Sequence, residues 1–236
     1  MQYKGRLIIK LEAMVIGVTE TIRQSDYKLI IFDCDGTLVN SEHLSNRVIA
    51  TMLQALGLPM TAEQAFELFN GKSFKDITTY IAEHQPDYQM DFEAQFRVRV
   101  KQVFEQELQP IPGVIDFIKK LALPYCIASN APQEKMAVTL PICNLSDYFS
   151  AAHIFSAYDL QKWKPEPELF LHAAEYMGAA ISDCLVIEDS ISGAQAAVNA
   201  GMDVIVYSGD ASVRFGLENI PVFHSYDQLS SSFFSS

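Results

Sequence analysis

The sequence predicts an α/β protein, a Rossmann-like parallel sheet with an inserted all-helical cap domain. Short, wholly apolar runs alternate with helical patterns along most of the chain. Only helical periodicity occurs between the first two runs, and polar residues directly follow several runs. Strands that are apolar at every position are typical of parallel sheets, which are covered on both faces. Strands that alternate with helices indicate right-handed crossovers.

Five apolar runs predict the strands, and helical patterns lie between them. The strand runs are residues 28–32, 125–128, 154–155, 184–187 and 204–206. Helices are predicted at 114–121, from Pro132 onward, within 163–177 and at 190–200, with Ser190 as an N-cap and Gly201 after the last turn.

The inserted helical part has a four-residue apolar repeat. Leu44, Val48, Met52 and Leu56 form its first helix, and Gly57 follows as an end signal. Aromatic and aliphatic pairs indicate three more helices before residue 108. We therefore expect an N-terminal extension (1–26), a core in two pieces (27–42 and 109–236) and the helical cap (43–108).

Composition limits the possible partners. The 236 residues contain 17 basic and 29 acidic residues, a formal charge of −12, and 49% are hydrophobic. Such a chain has enough apolar residues for a core, and its acidity disfavours nucleic acid and anionic membranes as partners. Four cysteines without a CxxC pair suggest reduced thiols in a cytoplasmic protein. We expect a monomer or a weak homodimer.

Polar side chains gather where the predicted strands end, which is the ligand-binding edge of an open parallel sheet. They are Asp33 and Asp35 after the first run, Ser129 and Asn130 after the second, and Glu188 and Asp189 after the fourth. Four converging carboxylates would repel one another, and a cation relieves that repulsion. Oxygen ligands without His or Cys favour Mg²⁺. The predicted metal residues are Asp33, Asp35, Glu188 and Asp189.

These side chains suit phosphoryl transfer, which depends on positioning and charge stabilisation. Asp33 can attack phosphorus as a nucleophile, and Asp35 can act as the general acid and then the general base. Ser129, with backbone N–H groups at the following helix start, can bind phosphoryl oxygens. Lys164 supplies a fixed positive charge beside the nucleophile.

Four short motifs carry a family resemblance. They are Asp33-Cys34-Asp35-Gly36-Thr37-Leu38, Ser129-Asn130, Lys164-Pro165 and Glu188-Asp189-Ser190. Their order resembles the haloacid dehalogenase-like superfamily. The spacing between the first two motifs is similar to that of the β-phosphoglucomutase-like phosphatases, which carry a helical cap there. Runs 158–165 and 172–174 resemble members that act on sugar-acid phosphates.

The resemblance implies an aspartate nucleophile and Mg²⁺ held by Asp33, the backbone carbonyl of Asp35, and Asp189. It implies a cap that contacts substrate through residues near its start and through the loop 70–73. The expected substrate-binding residues are Glu42, His43 and Lys72 in the cap, with Thr37 and Asn130 from the motifs.

We expect a Mg²⁺-dependent phosphatase for a small phosphorylated metabolite, a sugar or sugar-acid phosphate such as 6-phosphogluconate. It would act through an aspartyl phosphate. One alternative is a β-phosphoglucomutase-type mutase, although Phe74 stands about where several mutases carry an arginine. The other is a non-catalytic phosphoacceptor or sensor module.

Overall fold

A six-stranded parallel sheet forms the centre of the molecule in the computed structural model, which describes residues 22–69, 74–209 and 220–234. The strand order is β3-β2-β1-β4-β5-β6. The strands are β1 Leu29–Phe32, β2 Tyr125–Ser129, β3 Ile154–Ser156, β4 Cys184–Glu188, β5 Asp203–Tyr207 and β6 Val222–Phe223. The predicted α/β fold class is confirmed.

The position of β1 in the middle of the sheet explains why its sequence is wholly apolar. Ile30 and Phe32 belong to the hydrophobic cluster on one face of the sheet. Leu29 and Ile31 belong to the cluster on the other face, and all four side chains are buried. A central strand with helices on both sides has no solvent-facing position, so period-two alternation disappears.

Helices connect and cover these strands. Within the described ranges they are α1 Ser41–Ala55, α2 Ala62–Phe69, α3 Phe74–His84, α4 Phe92–Glu107, α5 Val114–Lys120, α6 Gln133–Ile142, α7 Ala157–Leu160, α8 Glu168–Tyr176, α9 Ile191–Ala200 and α10 Tyr226–Phe233. Helices α8 and α9 contribute to one hydrophobic cluster of the sheet, and α5 and α10 to the other.

Helices α1 to α4 form the insertion between β1 and β2. The repeating positions Leu44, Val48 and Met52 of α1 are buried, as their spacing predicts. Asp91 caps α4, because its carboxylate accepts a hydrogen bond from the Ala94 N–H at 3.0 Å. Helix α4 also packs against α6 of the core. In the part of the insertion that the structure describes, 43–69 and 74–108, these four helices occur where the sequence predicts helical structure.

Two local features differ from the expectation, and a third agrees with it. The two-residue strand β6 was not predicted, because so short a run has no recognisable period; it pairs with β5 through Val206 and Val222. Pro132 is the N-cap of α6 and not its first residue, since its ψ of 153° is extended. Ser190 does cap α9, accepting a hydrogen bond from the Gly193 N–H at 3.0 Å.

Residues 1–21 of the predicted N-terminal extension lie outside the described residues. Within the described ranges, no helix combines the length and the apolar composition that crossing a bilayer requires.

Candidate active site

Three acidic side chains from two adjacent strands meet at the carboxyl edge of the sheet. Asp33 directly follows β1, Glu188 ends β4, and Asp189 comes next. Each offers one carboxylate oxygen, and these oxygens lie within 4.8 Å of one another. Because β1 and β4 are parallel neighbours with Phe32 beside Ile187, their ends present these groups together.

Lys164 lies within this acidic group. Its Nζ atom is 2.5 Å from Oδ1 of Asp33 and 2.7 Å from Oε1 of Glu188. The residue is only 6% exposed, so the ion pairs are shielded from water. The Asn130 side-chain oxygen accepts a hydrogen bond from the Lys164 backbone N–H at 3.0 Å. The arrangement therefore gives Asn130 a part in placing Lys164, in addition to the substrate contact predicted for it.

Glu188 uses both carboxylate oxygens within the protein. Besides its contact with Lys164, its Oε2 atom accepts hydrogen bonds from the Asp189 N–H at 2.8 Å, the Ser190 N–H at 2.7 Å and the Ser190 hydroxyl at 2.8 Å. A Cβ atom at Gly193 would lie 1.7 Å from Oε1, so the close approach requires glycine there. These contacts indicate that Glu188 orients Lys164. The role of Glu188 as a direct metal ligand stays a prediction.

The electrostatics of the group favour a bound cation. Burial raises the pKa of Asp33 to about 8, although Lys164 works against the rise. Burial also raises the pKa of Asp189 well above its usual range, and the nearby Glu188 charge adds to the effect. Burial alone would lower the pKa of Lys164, but Asp33 and Glu188 raise it. The single Lys164 ammonium cannot balance the charge of three carboxylates. A divalent ion that prefers oxygen ligands would neutralise the excess negative charge.

Asp35 lies outside the three acids whose carboxylate oxygens are within 4.8 Å of one another, and its predicted part in the metal site stays a prediction. Its Oδ2 atom lies 2.8 Å from Nζ of Lys135, and its Oδ1 atom accepts a hydrogen bond from the Ser41 hydroxyl. The Asp35 charge nevertheless acts on its neighbour, because it adds to the rise in the pKa of Asp33. Ser41 lies near the start of the cap, where substrate contacts are expected, and its hydroxyl donates to Asp35. Lys135 was not predicted, because nothing local distinguishes a helix lysine that contacts a distant carboxylate.

Thr37 lies behind the acidic group and not on an open face. Its side chain is fully buried, and its hydroxyl is 3.4 Å from Oδ1 of Asp189. Its carbonyl accepts a hydrogen bond from the Tyr226 hydroxyl at 3.0 Å. Gly36 has a φ of +82°, and a Cβ there would overlap Asp189. The burial of Thr37 favours positioning of Asp189 over the predicted contact with substrate.

Ser129 ends β2 beside the central strand and is almost fully buried. Its hydroxyl oxygen accepts a hydrogen bond from the Ala131 N–H at 3.1 Å, which leaves the hydroxyl proton available. The helix that follows begins at Gln133. This placement is compatible with the predicted phosphate-binding role, which stays a prediction.

Two clefts border the site, and their charges differ. One, of about 470 Å³, is lined by Gly36, Glu42, His43 and other residues that include Glu63 and Glu67. Burial raises the pKa of Glu42 to about 7, and the Asp35 charge adds to the rise.

The second cleft, of about 430 Å³, lies between the insertion and the core. We call it the basic cleft, because its lining within the described residues has the three cations Arg97, Lys101 and Lys135 against the single acid Glu134. Aromatic rings such as Phe74 and Phe96 also line it. The predicted substrate residue Lys72 lies outside the described residues.

Comparison with known proteins places this geometry in a family. The model of haloacid dehalogenase-like hydrolases matches residues 27–201. The chain is 34% identical over 202 residues to 6-phosphogluconate phosphatase of Escherichia coli, covering 85% of this chain and 88% of that protein. It is 26% identical to fructose-1-phosphate phosphatase of E. coli, covering 76% of this chain and 95% of the relative.

A solved structure agrees with this assignment. A haloacid dehalogenase-like protein from Agrobacterium tumefaciens superposes with a TM-score of 0.73 at 30% identity, covering 87% of this chain and 96% of that one. The chain belongs to the haloacid dehalogenase-like hydrolases. Within that family it is a phosphatase.

Proposed function

We propose that the chain is a Mg²⁺-dependent phosphatase that removes phosphate from a small sugar or sugar-acid phosphate through an aspartyl phosphate. The observation that carries the proposal is the Lys164 ammonium between Asp33 and Glu188, with Asp189 completing a three-acid group. The proposed nucleophile, a fixed cation and the proposed metal-binding carboxylates would therefore share the carboxyl edge of the sheet. Two relatives with sugar-phosphate substrates in their names support the substrate class.

The metal would be held by Asp33, Asp189 and the backbone carbonyl of Asp35, with Glu188 as a further candidate. Carboxylate and carbonyl oxygens form the donor set that Mg²⁺ prefers. When bound, Mg²⁺ would neutralise charge on the three acids and on the phosphoryl oxygens.

The first chemical step transfers the phosphoryl group to the enzyme. A carboxylate oxygen of Asp33 attacks phosphorus, and the bond from phosphorus to the substrate oxygen breaks. Asp35 gives its proton to that departing oxygen, which leaves as an alcohol. Lys164 holds Oδ1 of Asp33 and offsets negative charge in the transition state. Ser129 donates to a phosphoryl oxygen.

The second step returns the enzyme to its starting state. Asp35, now ionised, takes a proton from water, and the water oxygen attacks phosphorus of the aspartyl phosphate. The bond between phosphorus and the Asp33 oxygen breaks, releasing inorganic phosphate and the free Asp33 carboxylate. The net reaction consumes one phosphate ester and one water, and yields one alcohol and one phosphate.

The basic cleft supports an anionic substrate. Arg97, Lys101 and Lys135 line it, whereas the other cleft carries Glu42, Glu63 and Glu67. A carboxylate on the leaving group would be attracted to the basic cleft and repelled by the cleft that carries Glu42, Glu63 and Glu67. This favours a sugar-acid phosphate such as 6-phosphogluconate.

A phosphate-release assay tests the proposal directly. The substrates are 6-phosphogluconate, fructose 1-phosphate, β-glucose 1-phosphate and p-nitrophenyl phosphate, each with Mg²⁺ or with EDTA. We expect release only with Mg²⁺. The Asp33→Asn variant should lose at least about 1,000-fold in rate, whereas Asp116→Asn, at an exposed position, should not. Substantial turnover by Asp33→Asn would exclude Asp33 as the nucleophile.

The same assay separates phosphatase from mutase. A mutase would convert β-glucose 1-phosphate to glucose 6-phosphate without net phosphate release. Phe74 favours the phosphatase, because its ring packs 5.0 Å from the Phe96 ring and supplies no positive charge at that position. The cytoplasmic location and the monomer or weak homodimer remain predictions.

A further inference from the structure

The Asp35 carboxylate is held on both oxygens by partners from different parts of the chain. Lys135 lies on α6 of the core, and its Nζ atom is 2.8 Å from Oδ2. Ser41 is the first residue of α1, where the insertion begins, and its hydroxyl donates to Oδ1. The two contacts therefore restrain the carboxylate from opposite sides of the junction between core and insertion.

The Lys135 ion pair differs from the exposed pairs of this protein. The Lys135 and Asp35 side chains are 31% and 18% exposed, whereas those of Lys119 and Asp116 are 56% and 77% exposed at a longer distance of 3.6 Å. Exposed pairs are screened and hold their partners weakly. A partly buried pair at 2.8 Å fixes side-chain direction more strongly, because less water competes for either group.

Lys135 also lines the basic cleft, where we place the leaving group. The acid it contacts sits two residues after the proposed nucleophile Asp33. The Lys135 ammonium therefore contacts Asp35, while the same side chain lines the cleft between core and insertion. A leaving alcohol held in that cleft would have the Asp35 carboxyl at its edge.

We propose that Lys135 is a positioning residue that holds the Asp35 carboxyl toward the leaving oxygen of the substrate. This inference rests on the proposed function, in which Asp35 protonates the leaving alcohol. Lys135 keeps its own protons and takes part in no bond change. Without it, Asp35 keeps only the Ser41 contact and samples more rotamers, so a smaller fraction of molecules has the acid within reach.

The dependence on the leaving group distinguishes positioning from structural damage. Departure of an alcohol needs a proton, whereas p-nitrophenolate leaves as a stable anion. The quantity to measure is kcat/KM, since it reports steps up to the first irreversible one, here departure of the leaving group. For Lys135→Met, we expect kcat/KM to fall at least about tenfold more with sorbitol 6-phosphate than with p-nitrophenyl phosphate. Lys135→Arg should restore part of the loss, because it returns the charge.

A double variant tests whether Lys135 acts through Asp35. In the Asp35→Asn background there is no acid to position, so adding Lys135→Met should cost little more with sorbitol 6-phosphate. Independent roles would instead multiply the two losses. Lys119→Met, which removes an exposed ion pair, is the matched control and should leave both substrates unaffected.

Three results would overturn the inference. One is an equal loss on both leaving groups, which indicates general damage. Another is multiplication of the losses in the double variant. The third is a loss confined to 6-phosphogluconate and absent with sorbitol 6-phosphate, which indicates that Lys135 binds the substrate carboxylate. Failure of the proposed function looks different, because the wild-type enzyme would then release no phosphate or Asp33→Asn would retain activity.

Discussion

The ammonium of Lys164 lies 2.5 Å from Oδ1 of Asp33, although the two residues are 131 positions apart in the chain. The same ammonium contacts Glu188 at 2.7 Å, and all three side chains are at most 9% exposed. A buried lysine with two acidic partners compensates their charge in a low-dielectric environment. Asp33 is thereby held in one orientation at the end of the central strand.

Removal of this ammonium should lower both activity and stability, because it leaves two buried carboxylates without their cation. We expect Lys164→Met to lower kcat about 100-fold or more, because it deletes a charge placed at the reacting group. Lys162→Met is the control, since Lys162 is half exposed and pairs with Glu168 at 3.3 Å on the surface. Steady-state assays and circular dichroism measure both effects. Similar activity for the two variants would show that Lys164 is not needed for the chemistry.

Substitution of Asp35 should make hydrolysis of the aspartyl phosphate the slow step. Asp35→Asn removes the general base, so we expect hydrolysis of the aspartyl phosphate to slow by about 100-fold or more. With p-nitrophenyl phosphate the first step continues, and a burst of nitrophenolate should appear. Mass spectrometry after an acid quench should detect one added phosphoryl group, which Asp33→Asn should not acquire. An unchanged steady-state rate would place the acid and base elsewhere.

The stability of the metal-free protein should depend on pH through Asp33. Its pKa rises from 3.8 to about 8 on folding, mainly by burial, so the folded state holds a proton that the unfolded chain has lost. That contribution to stability is present at low pH and is lost as the pH rises through about 8. In EDTA, the melting temperature should therefore fall as the pH is raised to about 8.

Mg²⁺ should reverse that loss, because metal binding requires ionised carboxylates. We expect Mg²⁺ to raise the melting temperature more at about pH 8 than at about pH 5. Asp189→Asn removes one carboxylate of the three-acid group and should reduce the increase. An equal increase at both pH values, or in that variant, would contradict a metal site at these acids.

The C-terminal helix should stabilise the loop that follows Asp33. Tyr226 is fully buried, and its hydroxyl donates to the Thr37 carbonyl at 3.0 Å. Tyr226→Phe leaves that carbonyl without the hydrogen bond, so the free energy of unfolding should fall by about 1 to 3 kcal/mol. Tyr176→Phe, at a residue that is 56% exposed, is the control. Equal urea midpoints for the two variants would show that the hydrogen bond from Tyr226 to Thr37 does not stabilise the protein.

Much of the fold followed from local sequence patterns. The continuous apolar run that became β1 and the four-residue apolar repeat that became α1 both reflect burial, which determines where apolar residues stand within an element. The positions of Asp33, Ser129 and Glu188 at strand ends were likewise predictable. Neighbouring parallel strands place their carboxyl ends along one edge whatever the remaining side chains do.

The sequence by itself determined the class of fold, the family and the residue types available for chemistry. Only the tertiary structure decided how those residues pair: Lys135 with Asp35, Tyr226 with Thr37, and Glu188 with Lys164. The residues of these pairs are between 24 and 189 positions apart in the chain. Each pair depends on helix placement and on side-chain rotamers. Strand and helix periodicity arises from burial along a single element, so it contains no information about which distant side chain a carboxylate will meet.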